Sequence, residues 1–253
     1  MELNHKIHVL TKKEELDSVR IPGKVVVVLD VLFATTTMVT ALAQGASEVV
    51  PVLDEAGARA EAERCAPGSF VLSGELNAQT LPGFAHPAPL ALMAHGVQGR
   101  RLIYSTTNGT VAMTRCRTAA RVYCGSLLNL GSLAEHIVRA HPGDTVLLVC
   151  AGSANNFNYE DFLGAGAFAD RLSALLGEGA DLSDAAKAAR AVFRSERLPQ
   201  ALLECRVGRM MAARGLGHEV EFACRIDEYR VVPAMEDGRL RALRAVTGAS
   251  GRR

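Results

Sequence analysis

The chain predicts an α/β fold, a three-layer α/β/α sandwich around a largely parallel or mixed sheet. Three observations carry this expectation. Val25–Leu29 is a continuous apolar run, VVVVL, with no polar partner face, as expected of a strand buried on both sides. Strand-like and helix-like segments alternate along most of the sequence. The strand-like segments also end in small or hydroxyl-rich turns, ATTT, SGE, STTNGT, GSL and AGS. In open α/β sheets such turns converge on one crevice at the carboxyl edge of the strands.

Taken in order, residues 6–10 form a candidate first strand ahead of Val25–Leu29. Asp30 ends that second strand, and from Thr35 an apolar stretch reads as helix up to Gly45. Residues 48–53 predict a strand, and residues 54–64 an exposed helix capped by Asp54. Residues 69–72 are a short strand running into Ser73, Gly74 and Glu75. Residues 77–89 are rich in Pro, Ala and His without periodicity, so a structureless loop is expected, often a lid or binding loop. A strand at 101–104 leads into the turn 105–110 and a short helix. A strand at 121–124 leads through Gly125 and Ser126 into a helix ending at Ala140. After the turn 141–144, residues 145–150 form another apolar strand, and a polar loop is expected to carry Tyr159, Glu160 and Asp161. Residues 162–214 read as helical, with breaks at 177–181 and Pro199. Residues 220–246 read as two or three strands around a Glu236-Asp237-Gly238 turn. One domain over 1–253 is expected, with a helical and strand subdomain from about residue 175 left open.

Composition narrows the function classes. The 253 residues suit one large α/β domain or two small ones, and 49% hydrophobic content is enough for a sizeable core. Tryptophan is absent, so that core must rest on Val, Leu and Ala. A formal net charge of +1 argues against a nucleic-acid or membrane-surface binder. No apolar run approaches the roughly 18 residues of a membrane span, and the N-terminus lacks a signal-peptide core. The six cysteines show no CxxC spacing and read as reduced core thiols in a cytoplasmic protein. A homo-oligomer is compatible with all of this.

The chemistry concentrates at the turns. Thr35, Thr36 and Thr37 open an apolar helix, where one hydroxyl would suffice as cap; the surplus suits an anion, phosphate above all. The alternative is a cap followed by β-branched filler. Asp30 is a candidate metal ligand, or a buried acid satisfied by turn N–H groups. The 105–110 turn is the stronger signal, because Asn108-Gly109 permits a left-handed turn and Thr106, Thr107 and Thr110 crowd it. Backbone N–H groups and hydroxyls together make a phosphate cradle. Glu75, Glu160 and Asp161 are the other acids in small or apolar turns. With Asp30 they are a candidate set for Mg²⁺, which takes carboxylates, phosphate oxygens and water. Adjacent residues point apart, so one of Glu160 and Asp161 at most is expected on the ion.

Other mechanisms lack their parts. Cys150 follows a strand, but Asn156 stands where a cysteine phosphatase needs arginine. Asp30-Val31-Leu32 lacks the second aspartate of aspartyl-phosphate enzymes. Gly164 and Gly166 imitate a dinucleotide fingerprint without a preceding strand and read as close helix packing. No Walker lysine or GxSxG motif occurs, and His86 and His95 read as structural.

The blocks DVLFATTT, SGE, STTNGT, GSLLN and NYEDFLGAGAFADRL together resemble the 2-phosphosulfolactate phosphatase family, in order from about residue 25 to 172. The resemblance implies a Mg²⁺-dependent enzyme converting (R)-2-phospho-3-sulfolactate to 3-sulfolactate and phosphate, a step on one route to coenzyme M, with an α/β fold particular to the family. Carried over by position, it implies a site of Asp30, Thr35, Thr36, Thr37, Glu75, Thr106, Thr107, Asn108, Gly109, Thr110, Glu160 and Asp161. Asp30, Glu75 and Asp161 are the catalytic candidates, and the substrate is a small anionic phosphate ester. Phe33 and Leu76 stand where the family pattern has arginines, His86-Pro87-Ala88-Pro89 replaces an Asn-Ser segment, and Val207-Gly208 replaces a His-Gly segment. A catalytically silent or substrate-shifted relative, binding a small ligand or a protein partner, is the alternative. For the phosphatase case, Arg101 and Arg206 are candidates to restore the missing positive charge.

Overall fold

An unbroken Val/Leu strand belongs at the centre of a molecule, and that is where β2 (Val25–Leu29) lies, with no residue exposed. Its pleat sends Val26 and Val28 into one hydrophobic cluster and Val25, Val27 and Leu29 into another. Helices therefore cover both faces. The computed structural model describes residues 5–243.

The other strands are β1 (His5–Leu10), β3 (Glu48–Val52), β4 (Phe70–Leu76), β5 (Gln79–Thr80), β6 (Arg101–Ser105), β7 (Arg121–Gly125), β8 (Val146–Cys150), β9 (Ala180–Leu182), β10 (Pro233–Glu236) and β11 (Arg239–Ala242). They form one sheet in the order β5-β4-β6-β3-β11-β10-β7-β2-β8-β1-β9. β2 runs parallel to β7 and β8, with Val27 opposite Tyr123 and Leu148. β4, β6 and β3 form a second parallel block. The β10–β11 hairpin bridges the blocks antiparallel, through Ala234 opposite Tyr123 and Leu240 opposite Val49. The sheet is thus mixed, and the α/β expectation holds.

The helices are α1 (Ala34–Ala43), α2 (Glu55–Ala62), α3 (Pro89–His95), α4 (Gly109–Arg115), α5 (Leu130–Ala140), α6 (Tyr159–Leu176), α7 (Asp184–Ser195), α8 (Gln200–Glu204), α9 (Arg206–Ala213) and α10 (Gly217–Ala223). Met38 of α1 and Met113 of α4 fill one face; Leu133 of α5, Phe168 of α6 and Ala189 of α7 fill the other. A third cluster joins Leu32 and Phe33 to Leu202, Val207, Met211 and Val220, so α8–α10 close over the carboxyl end of β2. As expected, Asp54 caps α2, accepting from Gly57 N–H at 2.8 Å. The α6 glycines do serve close packing: a Cβ on Gly166 would lie 2.1 Å from the Ala189 carbonyl oxygen.

Three expectations need correction. Tyr159, Glu160 and Asp161 form the first turn of α6, where the helix dipole favours acids. The 77–89 segment has structure: Asn77 and Ala78 adopt positive φ of 53° and 59°, turning β5 back onto β4 with Thr80 opposite Glu75. Residues 220–223 belong to α10, and the tail strands are β10 and β11 only; the part of that expectation beyond 243 lies outside the described residues. All six cysteines are free and five are buried. No helix among the described residues is long and apolar enough to cross a membrane.

Candidate active site

The turns after β2, β4, β6 and β8 meet with α9 around one cavity of about 320 Å³. Asp30 is on its wall, 9% exposed. The chain reaches this position because β2 ends in the core and α1 starts immediately after. Ala34 N–H donates to Asp30 Oδ1 at a long 3.4 Å, so the carboxylate is buried and weakly paired. Burial, together with the charges of Glu160 and Glu75, pushes its pKa up to about 7, against the opposing pull of Ala34 N–H and Lys13. The start of α4 presses against it: a Cβ on Gly109 would lie 2.8 Å from Asp30 Oδ2, so glycine is needed for this approach.

Thr106, Thr107 and Asn108 line the cavity. Glu75, also on the wall, organises them by accepting from Thr107 N–H (2.7 Å) and Thr107 Oγ1–H (2.9 Å) through Oε1. Its other oxygen accepts from Ala78 N–H at 2.6 Å. Thr110 is buried behind, donating to the Thr106 carbonyl at 2.9 Å while its own N–H reaches Thr106 Oγ1 at 3.2 Å.

The first threonine cluster lies elsewhere. Thr35, Thr36 and Thr37 are fully buried and outside the cavity lining. Their hydroxyls donate to the carbonyls of Asp30 (3.0 Å), Val31 (2.9 Å) and Pro87 (2.8 Å). Three hydroxyls beyond the needs of capping are accounted for by main-chain oxygens in the turn and in the 77–89 segment.

Glu160 and Asp161 stand behind the wall. Asp161 Oδ1 accepts from Val31 N–H (2.9 Å) and Oδ2 from Gly152 N–H (3.0 Å), tying the β2 and β8 turns together. Burial, with Asp30 and Glu160 nearby, raises its pKa. Glu160 is 2% exposed and accepts from the Cys205 thiol at 3.4 Å; burial raises its pKa too. Among the described residues no three of His, Cys, Asp and Glu gather as a metal cage. The four acids share one neighbourhood, with Asp30 and Glu75 alone facing the cavity.

Positive charge arrives from two elements. Arg206, at the start of α9, lines the cavity and donates to Ser153 Oγ (2.7 Å) and Asn158 Oδ1 (2.8 Å). Lys13 is 5% exposed and donates to Asn108 Oδ1 (3.0 Å) and the Ala151 carbonyl (3.1 Å). Arg101 sits at the amino end of β6, paired with Glu48 at 2.6 Å, and does not reach the site. Sequence reasoning missed Lys13, since a buried lysine inside TKKEE looks like any solvated charge run. It also underrated His86, which lines the cavity. Its Nδ1 accepts from Ala88 N–H at 3.1 Å, which places the neutral ring's proton on Nε2.

Carboxylates and hydroxyls facing a strand-edge cavity, with a buried cation beside them, are the build of an α/β enzyme. A family model described as 2-phosphosulpholactate phosphatase matches residues 10–238. The chain belongs to that family, whose members are phosphoric monoester hydrolases. It is 33% identical to a probable 2-phosphosulfolactate phosphatase of Caldanaerobacter subterraneus subsp. tengcongensis, covering 86% of this chain and 90% of the relative. Proteins of the same description from Symbiobacterium thermophilum (34%, covering 86% and 94%) and Parasynechococcus marenigrum (36%, covering 83% and 88%) are similar to it as well.

Proposed function

We propose that this protein is a Mg²⁺-dependent phosphatase that hydrolyses (R)-2-phospho-3-sulfolactate to 3-sulfolactate and phosphate, as in coenzyme M biosynthesis, or a related small phosphate ester. The observation that carries this reading is Asp30, a buried and weakly paired carboxylate on the cavity wall. Such a group favours a nearby cation over solvent-free ionisation. Mg²⁺ is usually held by one or two carboxylates with water and substrate oxygens completing its shell. Asp30 and Glu75 fit that role, while Glu160 and Asp161 add negative charge from behind. When bound, Mg²⁺ would polarise the phosphoryl group and lower the pKa of an attacking water.

The chain's own groups orient the ester. The Thr106 hydroxyl, the Asn108 side-chain amide and the N–H groups at the start of α4 offer donors to phosphoryl oxygens, while Thr107 gives both of its donors to Glu75. Thr110 holds Thr106 in place, and Thr35, Thr36 and Thr37 hold the turn that carries Asp30. Arg206 and Lys13 offset the charge of the bound dianion. Asp161 acts by positioning Val31 and Gly152. A cytoplasmic setting, in which six thiols stay reduced, suits this reading.

The test is phosphate release from phosphosulfolactate and a panel of phosphate esters with excess Mg²⁺. Turnover that is abolished by EDTA and by Asp30→Asn is expected. No release from any ester would overturn the reading. A second reading, a binding protein without turnover, is favoured by Asp161 having both oxygens occupied by N–H groups. Calorimetry with Mg²⁺ separates the two: heat that Asp30→Asn removes supports the enzyme, and no heat supports the binder.

A further inference from the structure

We propose that Arg206 is the specificity-determining residue of the cavity, holding an acid group, carboxylate or sulfonate, on the alcohol part of the phosphate ester. This rests on the phosphatase reading and adds a second recognition point to it. Arg206 is the only lysine or arginine among the described residues that lines the cavity. Its guanidinium is fixed by uncharged partners: Nη2 donates to Ser153 Oγ at 2.7 Å and to Asn158 Oδ1 at 2.8 Å. The Ser153 hydroxyl in turn donates to Asn158 Oδ1 at 2.9 Å, and Asn158 is 7% exposed. The anchor is thus a closed triangle of hydrogen bonds on a buried amide. Neutral acceptors orient the guanidinium and leave its charge uncancelled. Glu160, behind the wall, is held by Cys205 and feels that charge through space. Only Nη2 is engaged among the described residues, which leaves the N–H groups on Nε and Nη1 for a ligand.

The phosphoryl end of the cavity has its own partners. Asp30, 9% exposed, and Glu75 stand there with the Thr106 hydroxyl and the Asn108 amide. Lys13 supplies a cation at that end, donating to Asn108 Oδ1 at 3.0 Å. These groups sit on the turns after β2, β4 and β6, with Lys13 behind them. Arg206 is anchored instead on the segment between β8 and α6, and it is exposed. Asp30 therefore marks the deep end of the cavity and Arg206 its mouth. A substrate with its phosphoryl group at Asp30 and the start of α4 extends towards the mouth, where its acid group meets a guanidinium and not a carboxylate. An acid group at the mouth keeps part of its water, so the ion pair forms without the full cost of dehydration. The planar N–H array of arginine donates to the oxygens of carboxylate and sulfonate alike.

The test compares kcat/KM for three esters with Mg²⁺: phosphosulfolactate, 2-phospholactate, which carries the carboxylate alone, and isopropyl phosphate, which carries neither acid. Arg206→Met should lower the phosphosulfolactate value about tenfold, mainly through KM, the size of one partly hydrated charged hydrogen bond. The loss on isopropyl phosphate should be several-fold smaller. Arg206→Lys keeps the charge and should restore part of the loss. A matching loss on 2-phospholactate places the carboxylate on Arg206, and a loss confined to phosphosulfolactate places the sulfonate there. Calorimetry with 3-sulfolactate, which has no phosphoryl group, should show a similar weakening of about tenfold in the Met variant. An unchanged melting temperature shows that the variants are folded. Equal losses on phosphosulfolactate and isopropyl phosphate, or an unchanged affinity for 3-sulfolactate, overturn this proposal and leave the phosphatase reading intact. No release from any ester by the unaltered protein overturns both.

Discussion

Asp30 puts a carboxylate where an ion is costly, and that cost has a sign. Its folded pKa of about 7 lies above the ordinary 3.8, so between those values the folded protein holds the proton more tightly than the unfolded chain does. Stability from this group is fully present below about pH 4 and is lost as pH rises towards 7. The upper bound is on the order of 4 kcal/mol. In metal-free protein, Asp30→Asn should therefore raise the urea midpoint at pH 8, with the gain vanishing near pH 4. The same substitution should lower phosphate release in Mg²⁺ at least a hundredfold. A gain that is independent of pH would show that Asp30 is not the strained group. At this scale the sequence marked Asp30 and the 105–110 turn, because a carboxylate and clustered hydroxyls at strand ends are visible as residue types. Lys13 was invisible, since burial of its ammonium depends on Asn108 and Ala151, which are far away in the chain.

The elements show how the site is held. The Pro87 carbonyl accepts from Thr37 Oγ1 and from Tyr104 OH, each at 2.8 Å, so α1 and β6 jointly clamp the 77–89 segment beside the cavity. Removing both donors leaves a half-buried carbonyl without its two protein partners, at a cost of about 1 kcal/mol. The double variant Thr37→Val, Tyr104→Phe should expose residues 77–88 to limited proteolysis and raise KM several-fold with little change in kcat. Cleavage and KM both unchanged would mean the segment is held by other contacts. The strands and most helices were legible here, since hydrophobic period and turn chemistry act locally. The Asn77-Ala78 reversal was not, because nothing in that composition requires positive φ outside glycine.

For the whole molecule, the decisive contacts lie between elements distant in the chain. Helices α6 and α7 approach until the Gly166 Cα faces the Ala189 carbonyl, leaving 2.1 Å for any Cβ. Backbone cannot yield as a side-chain tip can, so Gly166→Ala should cost about 3 kcal/mol or more. A fall in the urea midpoint at constant slope would report it, and an unchanged midpoint would refute the close contact. The sequence by itself determined the α/β class, the buried central strand and the turns that carry the site. These follow from apolar runs, periodicity and glycine or hydroxyl chemistry, which are local properties. Only the tertiary structure decided that β10 and β11 enter the middle of the sheet and that α9 lines the cavity with Val207, Met210 and Met211. It also turned Thr35–Thr37 inward and set Lys13 beside Asn108. Those outcomes depend on which surfaces meet, and each polar group takes the nearest partner that burial leaves it.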